Sequence, residues 1–91
     1  MTNTETKEQK LPKWFDGSHY SDGDTVTNPF SGEEIYLNRT ELSMYDFIKG
    51  AEFVIGMNKG WDQTSELSND MRKGLSWFRT NNSRAYMVLL D

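Results

Sequence analysis

The loop over residues 16–24 holds the densest group of side chains in the sequence that could do chemistry. Its carboxylate, hydroxyl and imidazole groups belong to Asp16, Ser18, His19, Asp22 and Asp24. A calcium loop of the EF-hand type that starts at Asp22 would need an oxygen ligand at its fifth position and glycine at its sixth, but valine and threonine stand there. A serine triad is also disfavoured, because adjacent Ser18 and His19 point apart in an extended loop. The composition favours a solvated turn, and we expect no catalytic residue and no metal ligand.

The overall composition excludes several further kinds of site. The 91 residues contain no cysteine and one histidine, which excludes disulfides, thiol catalysis, thiolate zinc sites and paired-histidine metal sites. Fourteen acidic against ten basic residues give a net charge of −4, which argues against binding to a phosphate backbone. No apolar run approaches the length of a membrane span, and the N-terminus lacks the apolar core of a signal peptide. We therefore expect a cytosolic or virion-bound protein without a cofactor.

Two short segments with alternating polarity predict a β-hairpin. The first, residues 24–28, is rich in β-branched side chains, and the second, residues 33–37, places Ile35 and Leu37 on one face. The Pro-Phe-Ser-Gly segment between them is typical of a turn, in which the glycine can take a positive φ. Because a two-stranded hairpin is marginal alone in water, its apolar face needs a helix beneath it.

The start of that helix is the best-defined boundary in the sequence. Asn38 can accept a hydrogen bond from an amide of the first turn, and Glu41 can reach back to the Asn38 amide, as in a capping box. Leu37 and Leu42 occupy the two positions of a hydrophobic staple. We expect Asn38→Ala to cost about 0.5–2 kcal/mol of stability, and Glu41→Ala to cost less.

Apolar residues then recur with a helical period. The predicted stripe consists of Met44, Phe47, Ile48, Ala51, Val54 and Ile55. Phe53 broadens this apolar surface, and Gly56 and Gly60 are stop signals. Gly50 inside the helix costs about 1 kcal/mol against alanine, which predicts that another element approaches closely there.

Two further elements complete the predicted core. A second helix is expected over residues 65–80, with an apolar seam of Leu67, Met71, Leu75 and Phe78. Gly74 lies on this seam, so the two helices are expected to cross closely at their glycines. The segment 84–90 is almost continuously apolar, so its period does not choose between helix and strand. Ser83 as an N-cap favours a helix, and a strand added to the hairpin is the alternative.

These elements together predict an α+β fold, in which a short antiparallel β-hairpin packs on two to three α-helices. Residues 1–12 are predicted to form a disordered tail, because the segment is polar and charged at its start and lacks apolar periodicity. A single small domain is expected over residues 13–91.

A surplus of aromatic side chains predicts a protein-binding surface. Trp14, Phe30, Tyr36, Trp61 and Tyr86 fall on neither helical seam, and a domain of this size has a limited core. Exposed aromatic groups rimmed by charge mark interfaces. Phe30 at the hairpin tip and Tyr36 on the outer strand face are the first candidates, followed by Trp61 and Trp14. For Trp14, a strap over the core is the alternative interpretation.

Several segments taken together resemble small uncharacterised proteins of tailed phages that infect marine cyanobacteria. They are Thr27-Asn-Pro-Phe-Ser-Gly-Glu-Glu34, Tyr45-Asp-Phe-Ile-Lys-Gly-Ala-Glu52, Arg72-Lys-Gly-Leu-Ser-Trp-Phe-Arg79, and Ala85-Tyr86 with Leu89-Leu90-Asp91. The resemblance covers roughly residues 25–91. It implies a phage origin, and it carries over no activity and no functional residue.

Three functions are open at this point. The first is a small acidic interaction domain, without catalytic activity, that binds a host or phage protein in the cytoplasm of the host cell. The second is a structural role as a minor virion or assembly component, with self-association into a homo-oligomer as one form of it. The third is weak binding of single-stranded nucleic acid by Arg72, Lys73, Arg79 and Arg84 around Trp77, for which a solvated helix face is the competing interpretation.

Overall fold

The computed structural model describes residues 9–57 and 65–91. Its elements are β1 (Asp24–Thr27), β2 (Glu34–Leu37), α1 (Arg39–Met57), α2 (Ser65–Asn81) and α3 (Ser83–Leu89). The antiparallel hairpin followed by helices confirms the predicted α+β fold. Within the described ranges, no helix has the length and hydropathy needed to cross a membrane.

The hairpin has the predicted face and turn. Its register pairs Val26 with Ile35 and Asp24 with Leu37, and Leu37 is fully buried. The turn is closed by a hydrogen bond of 2.8 Å from the Asn28 amide to the Glu33 carbonyl. Gly32 has a φ of +81°, the left-handed conformation that glycine adopts at little cost. The hairpin therefore presents an apolar face to the helices and a polar face to solvent.

The first turn of α1 contains the predicted capping box. The Asn38 Oδ1 atom accepts a hydrogen bond of 2.8 Å from the Glu41 amide. In return, the Glu41 Oε1 atom accepts one of 3.0 Å from the Asn38 amide. Two amides that the helix itself leaves unpaired are satisfied in this way.

Glu41 also connects parts of the chain that are distant in sequence. Its side chain is buried, with 6% of its surface exposed. Its second oxygen, Oε2, accepts hydrogen bonds from Gln9 Nε2 at 2.8 Å and from Asn82 Nδ2 at 2.9 Å. Removing this carboxylate would leave three donors without an acceptor, so we now expect Glu41→Ala to cost more than Asn38→Ala, the reverse of the order inferred from sequence.

Residues 9–12 pack on the domain, although the sequence assigned them to the tail. Gln9 bonds Glu41, and its Oε1 atom accepts from Asn38 Nδ2 at 3.1 Å. The Lys10 carbonyl accepts from the Trp77 indole nitrogen at 3.2 Å, and Leu11 contacts the core. The hydrogen bonds of Gln9 and Lys10 are polar contacts, so apolar periodicity in the sequence could not reveal them. The rest of the predicted tail lies outside the described residues.

The core lies where α1, α2, α3 and β2 meet. Its fully or almost fully buried hydrophobic residues are Leu37, Met44, Ile48, Ala51, Phe78, Ala85 and Leu89. The predicted stripe of α1 is thus confirmed at its N-terminal half. Phe47 and Ile55 are half-buried, while Phe53 and Val54 are exposed, so the second half of α1 is less covered than the first.

The predicted close crossing of α1 and α2 occurs at one glycine only. A Cβ atom on Gly74 would lie 3.1 Å from Met44 Sδ and 3.2 Å from Ile48 Cγ1. At Gly50, by contrast, no described atom lies within 4 Å of such a Cβ. The prediction of a close approach is therefore confirmed for Gly74 and wrong for Gly50, where an added Cβ atom would lie in open space.

The C-terminal segment is helical, and the strand alternative is wrong. The cap of α3 is Asn82, one residue before the predicted Ser83. Asn82 has a non-helical backbone, with φ −155° and ψ 79°, and its Oδ1 atom accepts from the Ala85 amide at 3.1 Å. The asparagine side chain thus caps α3 with its oxygen and bonds Glu41 with its nitrogen.

The two helical glycines allow a matched test of the helix packing. Gly50→Ala should raise the free energy of unfolding by about 0.5–1 kcal/mol, since alanine favours the helix and has room there. Gly74→Ala should gain less than this, or lose stability, because its methyl group would press on Met44 and Ile48. Urea unfolding of both variants measures the difference. Equal shifts of the two midpoints would contradict the described crossing.

Candidate protein-binding surface

The tip of the hairpin is a hydrogen-bonded loop that carries a fully exposed phenylalanine. Asn28 Oδ1 accepts from the Phe30 amide at 2.8 Å and from the Ser31 amide at 3.4 Å. Ser31 Oγ accepts from the Glu33 amide at 3.2 Å. The Phe30 side chain is 98% exposed. The loop backbone is thus fixed by its own hydrogen bonds while the apolar ring stands in solvent.

The same asparagine attaches the tip to the last helix. Asn28 Nδ2 donates a hydrogen bond of 2.8 Å to the Val88 carbonyl near the end of α3. Beside this contact runs an open groove of about 430 Å³, lined by Glu33, Ser83, Arg84, Met87 and Val88. Met87 is 67% exposed, and sequence reasoning missed it. Once Ala85 and Leu89 define the buried face of a helix, Met87 must lie on the opposite side.

The outer face of the hairpin carries the second exposed candidate. Tyr36 is 61% exposed, and it shares this face with the exposed residues Thr25, Thr27 and Glu34. A Cβ atom at Gly23 would overlap the Tyr36 hydroxyl and the Leu37 carbonyl. The tyrosine side chain therefore reaches across from β2 to the residue before β1, and only glycine leaves room for it.

Trp14 lies against the core instead of standing free. Its ring is 5.8 Å from that of Phe47, and the Lys73 ammonium lies 5.4 Å from its centroid. Phe15 packs edge-on against Phe47 at 5.6 Å. This arrangement agrees with the strap interpretation. Phe30 and Tyr36 are thus the exposed members of the predicted set, and Trp61 lies outside the described residues.

The loop over residues 16–24 has a structural part in the fold. The Tyr20 amide donates to Ser43 Oγ at 2.9 Å, and this buried hydroxyl donates to the Arg39 carbonyl at 2.8 Å. The Asp46 carboxylate raises the pKa of Tyr20 above its ordinary value of 10.0, mainly by charge repulsion of the phenolate, with smaller effects from burial and from a hydrogen bond to Asp46. No group of three metal-ligating side chains occurs among the residues that the structure describes.

Two of the basic side chains of α2, Lys73 and Arg79, are engaged in contacts within the chain, while Arg72 of α2 and Arg84 of α3 are exposed. Lys73 lies over Trp14 and is 3.6 Å from Asp70 Oδ1, and Arg79 lies over the ring of Tyr86 at 5.7 Å. The half-buried Trp77 donates its indole hydrogen to the Lys10 carbonyl. These contacts favour the interpretation of a solvated helix face over that of a base-stacking platform.

Comparison of the chain with models of protein families, with curated proteins and with solved structures found no match. The site is therefore judged on its geometry. Three exposed apolar side chains, Phe30, Tyr36 and Met87, lie on the hairpin and on the helix that its tip contacts. Aromatic side chains and methionine are enriched in protein interfaces.

The two aromatic candidates should differ in their effect on stability. Trp14→Ala should lower the free energy of unfolding by about 2 kcal/mol, less than for a fully buried ring because Trp14 is half-buried. Phe30→Ser should change it by no more than about 0.5 kcal/mol, because the ring contacts solvent. Thermal and urea unfolding measure both values. A stability loss at Phe30 with none at Trp14 would contradict the described packing.

Proposed function

We propose that this chain is a small, non-catalytic protein-binding domain whose partner contacts the hairpin tip at Phe30. The observation that carries the proposal is an apolar ring that is 98% exposed on a hydrogen-bonded loop. Burying such a side chain contributes about 1.5–3 kcal/mol. A loop that is already ordered loses little conformational entropy on binding, so more of this contribution is retained as affinity.

The surroundings of Phe30 support the same interpretation. Tyr36 adds exposed apolar area on the outer face of the same hairpin, and Met87 adds it on the helix that the tip contacts. Glu33, Glu34 and Arg84 are exposed charged groups of these two elements. Aromatic side chains and methionine are enriched in protein interfaces, and charged groups lie at their rims. Phe30 is expected to be the anchor, because a few large side chains carry most of the energy of an interface.

We take the partner to be a host or phage protein met in the cytoplasm of an infected cell. This part of the proposal rests on the resemblance to proteins of cyanobacterial phages, so an infected cyanobacterial lysate is the source to search. Identification of the captured protein by mass spectrometry would separate a host enzyme or transcription component from a structural protein of the virion.

The test compares the wild-type protein with two variants that lose an exposed ring at different places. Proteins captured from the lysate by immobilised wild-type protein are identified, and the partner is then titrated against each purified variant by calorimetry. Phe30→Ser should weaken binding by about 2 kcal/mol, roughly 30-fold in Kd, since it removes the proposed anchor. Circular dichroism checks that each variant is folded.

Phe53→Ser is the matched control. Phe53 is 69% exposed on α1, on a different element from the hairpin, so the same substitution there should leave the Kd unchanged. If Phe30→Ser binds the partner as tightly as the wild type, or if Phe53→Ser weakens binding equally, the hairpin tip is not the anchor and the proposal fails.

A further inference from the structure

Among the residues that the structure describes, no strand pairs with the outer edge of β1. The sheet has two strands, and β2 packs against α1 and α3 while β1 lies on the outer side with β2 as its main neighbour. Asp24, Thr25 and Thr27 of β1 are exposed. A free edge presents backbone donors and acceptors to any chain that can pair with it.

The register identifies which backbone groups point outward. The Asn28 amide bonds the Glu33 carbonyl, so the hydrogen-bonded pairs of this ladder alternate from there, with the next at Val26 and Ile35. Thr27 and Thr25 are consequently the non-bonded positions, and their N–H and C=O groups face away from β2. The Thr25 amide is taken by the Asp24 side chain at 2.8 Å. The Thr27 amide donates no hydrogen bond to an acceptor among the described residues.

The charged residues of the hairpin itself and of the segment that leads into it are all acidic. Between Lys13 and Arg39 the sequence has no lysine or arginine. The hairpin and its approach carry the exposed acidic residues Asp22, Asp24, Glu33 and Glu34. A strand that pairs with β1 would enter this negative field, which favours a cationic chain and opposes a second copy of the same acidic hairpin.

We propose that the free edge of β1 accepts an extended, basic segment of a partner protein as a third strand. This inference rests on the proposed function and states how the partner is recognised. The Thr27 amide and the carbonyls of Thr25 and Thr27 supply the backbone pairing. Alternate side chains of the segment lie beside half-buried Val26 on one face and beside the outer face, which carries Glu34, on the other. Apolar and basic residues should therefore alternate in the segment.

The probe is a synthetic peptide of alternating lysine and valine, acetylated and amidated at its ends, and the control peptide has glutamate in place of lysine. Titration into the full chain is followed by amide NMR spectra. The basic peptide should bind saturably, with affinity that falls as salt is added, and the acidic peptide should not bind. The Thr27 amide should become protected from exchange with solvent on binding, whereas the Val26 amide should be protected throughout.

Two substitutions at one position separate backbone pairing from side-chain contact. Thr27→Pro removes the outward amide without removing a bond to β2, and proline is tolerated on a sheet edge. It should weaken peptide binding about tenfold or more, since it deletes one hydrogen bond and obstructs the incoming strand. Thr27→Val keeps the amide and should bind within about twofold of the wild type. Melting curves establish that both variants are folded, and the exchange of the Thr27 amide in wild-type protein tests the pairing without any substitution.

Each remaining outcome overturns the inference. Three of these outcomes concern the peptides: the basic peptide shows no saturable binding, both peptides bind equally, or the Thr27 amide stays unprotected in the complex. The fourth is a dimer that sedimentation detects and that Thr27→Pro abolishes, because a second copy of the chain would then occupy the edge. The proposed function is tested separately. If Phe30→Ser weakens partner binding and Thr27→Pro does not, the strand-addition inference fails and the proposed function stands. If Thr27→Pro weakens partner binding and Phe30→Ser does not, the proposed anchor at Phe30 fails and strand addition stands.

Discussion

The buried carboxylate of Glu41 is the interaction on which the arrangement of the domain depends. Its two oxygens accept hydrogen bonds from the Asn38 amide, from Gln9 and from Asn82. A buried charge is tolerated only when such donors replace the water it has lost, and donors that lose their acceptor are costly in turn. One side chain thereby fixes the start of α1, the N-terminal segment and the junction between α2 and α3.

The candidate surface depends on this junction through two asparagines. Asn82 bonds Glu41 and caps α3, which sets the position of that helix. Asn28 then bonds the Val88 carbonyl of α3 and orders the hairpin tip that carries Phe30. The exposed ring is therefore held by a series of side-chain hydrogen bonds that begins in the core. Binding at the tip would exploit this order, because the entropy of fixing the loop is already lost on folding.

Local interactions were predictable from the sequence and distant polar ones were not. The capping box of Asn38 and Glu41 spans three residues, and the turn glycine Gly32 follows from its neighbours, so both could be predicted. The bond from Asn82 to Glu41 joins residues 41 positions apart, and nothing in either segment indicates the other. Gly50 was misjudged because a helical glycine can face solvent as well as a neighbour. The exposure of Phe30 was predictable, since it lies off both helical seams, whereas the burial of Trp14 depends on tertiary contacts.

A charge-exchange cycle at Glu41 and Asn82 tests the central role of this carboxylate most directly. Asn82→Asp keeps the oxygen that caps α3 but replaces the donor to Glu41 with a second carboxylate, so it should cost at least about 2 kcal/mol of unfolding free energy. Combining it with Glu41→Gln restores an amide and a carboxylate with their positions exchanged. The double variant should recover the part of the loss that comes from this pair, while the hydrogen bond from Gln9 stays lost. Urea unfolding of the wild type, both single variants and the double variant gives the coupling energy. Losses that simply add would contradict the account.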